Sequence, residues 1–195
     1  MNEKLYQKIV VERVNRAWRF TVPDMAQEFH ALGLTPAQRV CLRFERLCQY
    51  EKPAFLEDEK ICFMRCVKNL PEIFTPEEWQ EIRAKHHIHE LGYSSNLTAN
   101  YGKILQKGLL ALLPGKDEYT RRSVAALLNL VARYRQAALE DGRTELAETL
   151  AQVPAYGARN FREALQSLRI LNFSLWLEGD YHNTLGRFDQ YVWPF

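Results

Sequence analysis

Apolar residues recur in this chain at three- and four-residue steps, and no stretch alternates polar and apolar residues over a full strand length. A period near 3.6 gives a helix one buried stripe, whereas a half-buried strand needs a period of two. The chain is therefore expected to pack helices, seven or eight of them. Residues 2–20 place Leu5, Ile9, Val10, Val14, Ala17 and Trp18 on one face, and Pro23 stops that run. Thr35-Pro36 pairs an N-cap residue with a proline at the first helical position, opening a helix that Pro53 ends. Val40, Phe44, Leu47 and Cys48 are its expected inner face.

Residues 55–74 are less regular, with Ile61, Phe63 and Val67 apolar. Thr75-Pro76-Glu77-Glu78 is a sharp helix start, with acidic residues where the helix dipole favours negative charge. That helix is expected to run to about His87, and the polar stretch from Gly92 to Asn100 to be a loop. Further helices are expected from Tyr101 to about Leu113, from Asp117 to the Asp141-Gly142 turn, over about 143–152, and from Asn160 to Glu178. Val124, Leu127, Leu128, Val131 and Tyr134 line the second of these. Phe161, Leu165, Leu168, Leu171, Leu175 and Leu177 line the last, where Phe161 and Trp176 are expected in the core, as is Trp193 beyond it. The only strand expected begins near Phe188.

With 195 residues, 47% hydrophobic and 26% charged, the chain can bury a core of its own. A net charge of +2 is no footprint for nucleic acid, and no apolar run approaches the ~20 residues that span a bilayer. Charged residues through the first twenty positions exclude a signal-peptide apolar region. The four cysteines, Cys41, Cys48, Cys62 and Cys66, then read as reduced thiols, and the expected location is the cytoplasm.

Two clusters invite a metal. Cys62-Phe-Met-Arg-Cys66 lacks the third thiol of an iron–sulfur CxxxCxxC motif, because Asn69 stands there. On a helix its two thiols share a face and form half a metal site; as free cysteines they are small buried hydrophobes. His86-His87-Ile88-His89-Glu90 has His at i, i+1 and i+3 rather than the i, i+4 of a zinc helix. It reads as polar decoration of a helix end, as ligands, or as a pocket rim. No metal is assigned, and no GxxxxGK[ST], GxGxxG or GxSxG motif occurs.

Three segments resemble one family in the same order. Tyr101-Gly-Lys-Ile-Leu-Gln-Lys-Gly-Leu-Leu is similar to its Asp-Tyr-x-x-(Val/Ile)-Leu-x-x-Gly-Leu segment, and Ala158-Arg-Asn-Phe-Arg-Glu-Ala-Leu-Gln166 to its Pro-Ala-Arg-Thr-Phe-Arg-Glu-Ala-Leu-Gln. Gly186-Arg-Phe-Asp-Gln-Tyr, followed by Pro194, is the third. The family is the glycyl radical enzymes of pyruvate formate-lyase type. The match lies mainly over 92–195, and 1–90 is only loosely similar.

The resemblance implies a single, mostly helical N-terminal lobe beside a ten-stranded α/β barrel that this chain barely begins. The last residues, Tyr191-Val192-Trp193-Pro194-Phe195, fit that expectation: the polypeptide reads as halting where it enters a shared core. In the family a backbone glycyl radical, installed by a radical S-adenosylmethionine activating enzyme, oxidises a cysteine to a thiyl radical that takes hydrogen from substrate. The glycyl loop motif, Arg-Val-x-Gly-Tyr in form, is absent here, and none of the four cysteines lies in a matching segment. No catalytic residue and no directly bound cofactor are therefore assigned. The implied role is a substrate wall of a lyase or dehydratase type of enzyme, incomplete alone, cutting a C–C or C–O bond.

Five residues before Tyr101 stands Asn96, where pyruvate formate-lyase has an arginine that grips a carboxylate and dehydratase-like members often have histidine. A neutral amide cannot give the bidentate pairing of arginine with a carboxylate, so a neutral polar substrate is expected. Asn96 is either substrate-facing or a plain loop residue. Arg187, Asp189, Gln190 and Tyr191 either touch substrate or satisfy buried backbone where a strand enters the barrel. The partners implied are a small polar organic substrate, an activating enzyme, a complementing C-terminal chain and a second copy in a homodimer. The rival reading is a non-catalytic helical interaction module that docks through Trp193 and Phe195.

Overall fold

A computed structural model describes residues 3–7, 19–57, 59–86 and 98–195. Its helices are α1 (Glu3–Tyr6), α2 (Ala26–Ala31), α3 (Pro36–Tyr50), α4 (Pro76–His86), α5 (Tyr101–Lys107), α6 (Glu118–Glu140), α7 (Thr144–Gln152), α8 (Phe161–Leu177) and α9 (Phe188–Val192), with a 3-10 turn at Leu110–Leu112. Among the described residues there is no strand, only an isolated parallel bridge between Phe20 and Val67. Most of the 2–20 face expected from the sequence lies outside the described residues.

The helix starts follow their caps. Thr35 and Gln38 form a reciprocal capping box ahead of Pro36. The Thr75 hydroxyl accepts from the Glu78 N–H at 3.3 Å while the Glu78 carboxylate accepts from the Thr75 N–H at 2.8 Å. Asp117 and Asn160 cap α6 and α8 one way only, their side chains accepting from the N–H groups of Thr120 and Glu163. Each such cap contributes about 1 kcal/mol by pairing N–H groups that helical geometry leaves open.

Long α6 packs along α3 on one side and α7 on the other, and α8 lies against α5, α7 and α9. The shared core includes Phe44, Leu47, Leu130, Tyr134, Leu150, Ile170 and Leu177. A smaller cluster of Met25, Phe29 and Ile73 sits under α2. Buried polar side chains staple the irregular 51–75 segment onto the helices. Gln166, fully buried on α8, accepts from the Cys62 N–H at 2.9 Å and donates to the Cys62 carbonyl at 3.2 Å. Tyr134 donates to the Met64 carbonyl, and Glu51 accepts from the N–H groups of Cys66 and Val67. Arg39 pairs with Glu78 through both oxygens, joining α3 to α4.

Several expectations are corrected. Residues 188–192 form helix α9 rather than a strand: Gly186 turns the chain at φ +59°, and the Arg187 carbonyl accepts from the N–H groups of Gln190 and Tyr191. The helix from Tyr101 stops at Lys107 because Gly108 takes φ +77°. Val40 is exposed, and Cys41 and Arg43 point inward from α3 in its place. Phe161, Trp176 and Trp193 are not core residues; they are 48%, 44% and 88% exposed. Phe161 is the first residue of α8, and Trp176 lies on its outer face against Tyr181.

Candidate functional site

The three family-like segments come together in space. The loop before α8 presses onto the end of α5 so closely that a side chain has no room. A Cβ on Gly157 would lie 2.2 Å from the Gln106 carbonyl oxygen, and one on Gly108 would lie 2.3 Å from the Tyr156 backbone. Backbone bonds lock the contact: the Ala158 N–H donates to the Leu105 carbonyl, and the Leu109 N–H to the Pro154 carbonyl, each at 2.8 Å. On the other side, Tyr191 of α9 packs over Gly102, where a Cβ would meet its ring at 3.0 Å. A Cβ on Gly186 would stand 3.2 Å from the Tyr191 hydroxyl. The rings of Tyr101 and Tyr191 lie 6.5 Å apart.

Where these segments meet, the turn after α8 delivers a polar cluster centred on Asn183. Its carboxamide oxygen accepts from Asn172 of α8 at 2.7 Å and from the fully buried Tyr101 hydroxyl at 3.5 Å. Its nitrogen donates to the Asp180 carbonyl at 2.6 Å. The hydroxyls of Thr98 and Thr184 bond at 2.6 Å on the exposed side. Burial pushes the Tyr101 hydroxyl pKa up, so it remains a neutral donor. The Asp180 side chain is buried, and neither carboxylate oxygen has a hydrogen-bond partner among the described residues. A buried carboxylate with open acceptors is costly unless something donates to it. Hydroxyls, carboxamides and one carboxylate together can hold a neutral ligand rich in hydroxyls.

Asn96 lies outside the described residues. Arg187 precedes α9, and Asp189 and Gln190 sit on its exposed side; none of the three makes a side-chain hydrogen bond among the described residues. Tyr191 is half-buried and serves as the packing contact between the first and third segments. Asn172, Asp180, Asn183 and Thr184 had no motif to mark them, because a helix face and a turn bring them together with Thr98 and Tyr101.

The cysteine segment is extended, not helical, with Phe63 at φ +94°. Its thiols are buried; burial pushes Cys62 and Cys66 up to about 12, and the Cys66 thiol donates to Glu51 at 2.8 Å. Among the described residues no group of His, Cys, Asp or Glu is arranged to hold a metal. His87, His89 and Glu90 lie outside those residues. Glu163, in the second family-like segment, is a structural anchor. Burial raises its pKa, but Arg159 and the backbone N–H it accepts from outweigh that and leave it below the ordinary value.

Residues 72–195 match the family model described as pyruvate formate lyase-like. The chain belongs to that family, the glycyl radical enzymes of pyruvate formate-lyase type. It also superposes on a solved structure concerned with 1,2-propanediol dehydration in Roseburia inulinivorans, with a TM-score of 0.70 and 16% identity. That alignment takes in 99% of this chain and 35% of the other, so this glycyl radical family member spans about a third of the relative's length. The likeness establishes the shared helical fold. No curated protein matches the sequence. Among the described residues no helix is long and apolar enough to cross a membrane.

Proposed function

We propose that this chain supplies a substrate wall of a glycyl radical lyase or dehydratase, the polar cluster around Asn183 facing a small neutral polar substrate such as a diol. The carrying observation is that cluster: Thr98, Tyr101, Asn172, Asn183 and Thr184 offer only neutral donors and acceptors, with the open Asp180 carboxylate beside them. A carboxylate substrate would want an arginine fork there, and Asp180 would repel it. Asn96 is assigned to the same wall, and Arg187, Asp189, Gln190 and Tyr191 to its edge. The structural relative's connection with 1,2-propanediol dehydration agrees with a diol.

The family's radical chemistry needs a glycyl loop and a thiyl cysteine. The first has no counterpart in this sequence, and the buried thiols do not suit the second. The wall's own work is to orient hydroxyls and exclude water, while a radical S-adenosylmethionine activating enzyme and the segments bearing those two loops supply the rest.

The test is anaerobic. Incubated with an activating enzyme, the chain should show no glycyl doublet by EPR and no turnover. In parallel, 1,2-propanediol should shift the NMR signals of Tyr101 and of the Asn172 and Asn183 carboxamides, and pyruvate should leave them unmoved. A doublet from this chain alone, or shifts with pyruvate only, would overturn the reading. Trp193, 88% exposed, favours a second reading in which the chain is a helical docking module without catalysis.

A further inference from the structure

Four cations line one cleft, and among the described residues no carboxylate lines it. The cleft, of about 510 Å³, lies between α8 and the extended segment around Met64. Arg19, Arg65, Lys68 and Arg169 line it together with Trp176 and Tyr181. Arg65 is held in place: it donates to the Trp176 carbonyl and the Tyr181 hydroxyl, each at 3.1 Å, and to the Asn69 carbonyl at 3.0 Å. Its guanidinium lies 5.7 Å from the Tyr181 ring centre. The buried Nε atoms of Arg19 and Arg65 have no hydrogen-bond partner among the described residues. Arg19, Lys68 and Arg169 form no ion pair among the described residues. The charges of Glu59 and Glu178 reach Arg169 and Arg65 respectively, but neither carboxylate lines the cleft.

Four like charges around one cleft repel one another, and the repulsion is relieved by an anion that several of them share. A single carboxylate would leave most of that charge uncompensated, whereas a phosphate ester carries about two negative charges and three acceptor oxygens at neutral pH. Trp176 and Tyr181 are 44% and 43% exposed and stand edge to face at 5.5 Å, which leaves ring surface open beside the cations. We propose that this cleft binds a small phosphate ester, its phosphate among Arg19, Arg65, Lys68 and Arg169 and its planar ring against Trp176 and Tyr181. Asn172 is common to the cleft and to the Asn183 cluster, yet the proposal stands on the cations and the two rings, not on that cluster.

Isothermal titration of the whole chain at low salt tests it, with adenosine 5′-monophosphate, inorganic phosphate and adenosine as separate probes. The monophosphate should bind saturably at one site, inorganic phosphate more weakly, and adenosine not measurably. The Lys68→Gln/Arg169→Gln double variant should weaken monophosphate binding at least about tenfold, as expected for losing two charge-assisted contacts. Trp176→Ala should reduce the monophosphate to the level of inorganic phosphate. A Lys116→Gln/Arg135→Gln variant removes the same charge from exposed positions elsewhere and should change nothing. Circular dichroism confirms that each variant folds. No saturable binding by either phosphate, or equal weakening in the two double variants, overturns the proposal.

Discussion

Replacing Gly157 with alanine should cost far more stability than adding a methyl group at a glycine that faces open space. The added Cβ would sit 2.2 Å from the Gln106 carbonyl oxygen and 2.9 Å from its carbon, against an ordinary contact of 3.4 Å or more. Both are backbone atoms, so no side chain can swing aside. The loop must back away from α5 by about 1 Å, which overpacking costs place at about 1–3 kcal/mol. That retreat stretches the two 2.8 Å bonds from Ala158 to Leu105 and from Leu109 to Pro154, each contributing about 1 kcal/mol net. The sum is about 3–5 kcal/mol, a large part of the ~5–15 kcal/mol that holds a domain together. For a chain of this size it lowers the melting midpoint by about 10 °C. Gly115→Ala is the control: it has nothing within 4 Å and carries only the penalty of φ +76°, about 1 kcal/mol. Thermal unfolding followed by circular dichroism reads both. If the Gly157 variant melts no lower than the Gly115 variant, the two segments are not pressed together as described.

Two other outcomes follow from the charges and thiols. With Cys62 and Cys66 pushed up to about 12, roughly one thiol in ten thousand is ionised at pH 8, so Ellman's reagent should find them silent in the folded chain and reactive in denaturant. Rapid native labelling of either would contradict their burial. The Arg39 guanidinium holds Glu78 down at about 2, against an ordinary 4.5, so this ion pair stabilises the fold above pH 4.5 and loses its effect as pH falls toward 2. Glu78→Gln should therefore be less stable than the parent at pH 7 and approach it near pH 2 in urea titrations; a constant gap would show that Glu78 acts through packing.

Helix starts were legible because capping is local. Thr35, Thr75, Asp117 and Asn160 each announce a helix within four residues, and each caps it. The short α2 had too few residues to show a period. The stretch from Phe188 reads as a strand because Tyr, Val and Trp suit a pleated surface. What decides it is tertiary: the Gly186 turn and the seat of Tyr191 on Gly102. Cys62 and Cys66 would share a face only on a helix, and Gln166, Tyr134 and Glu51 hold their backbone out of one from distant positions. The family-like segments were legible as strings. The polar cluster was not, since Asn183 meets Tyr101 only through the turn that follows α8.

The measurement that bears most directly on the account is a set of nuclear Overhauser contacts from the Tyr191 ring in solution. If the three segments form one wall, the ring protons should show strong contacts to the Gly102 and Gly186 α-protons, persisting when Trp193 is replaced by alanine. A Tyr191 ring with sharp, averaged signals and no contact to Gly102 would mean that α9 does not dock on α5, and the substrate wall would be gone with it.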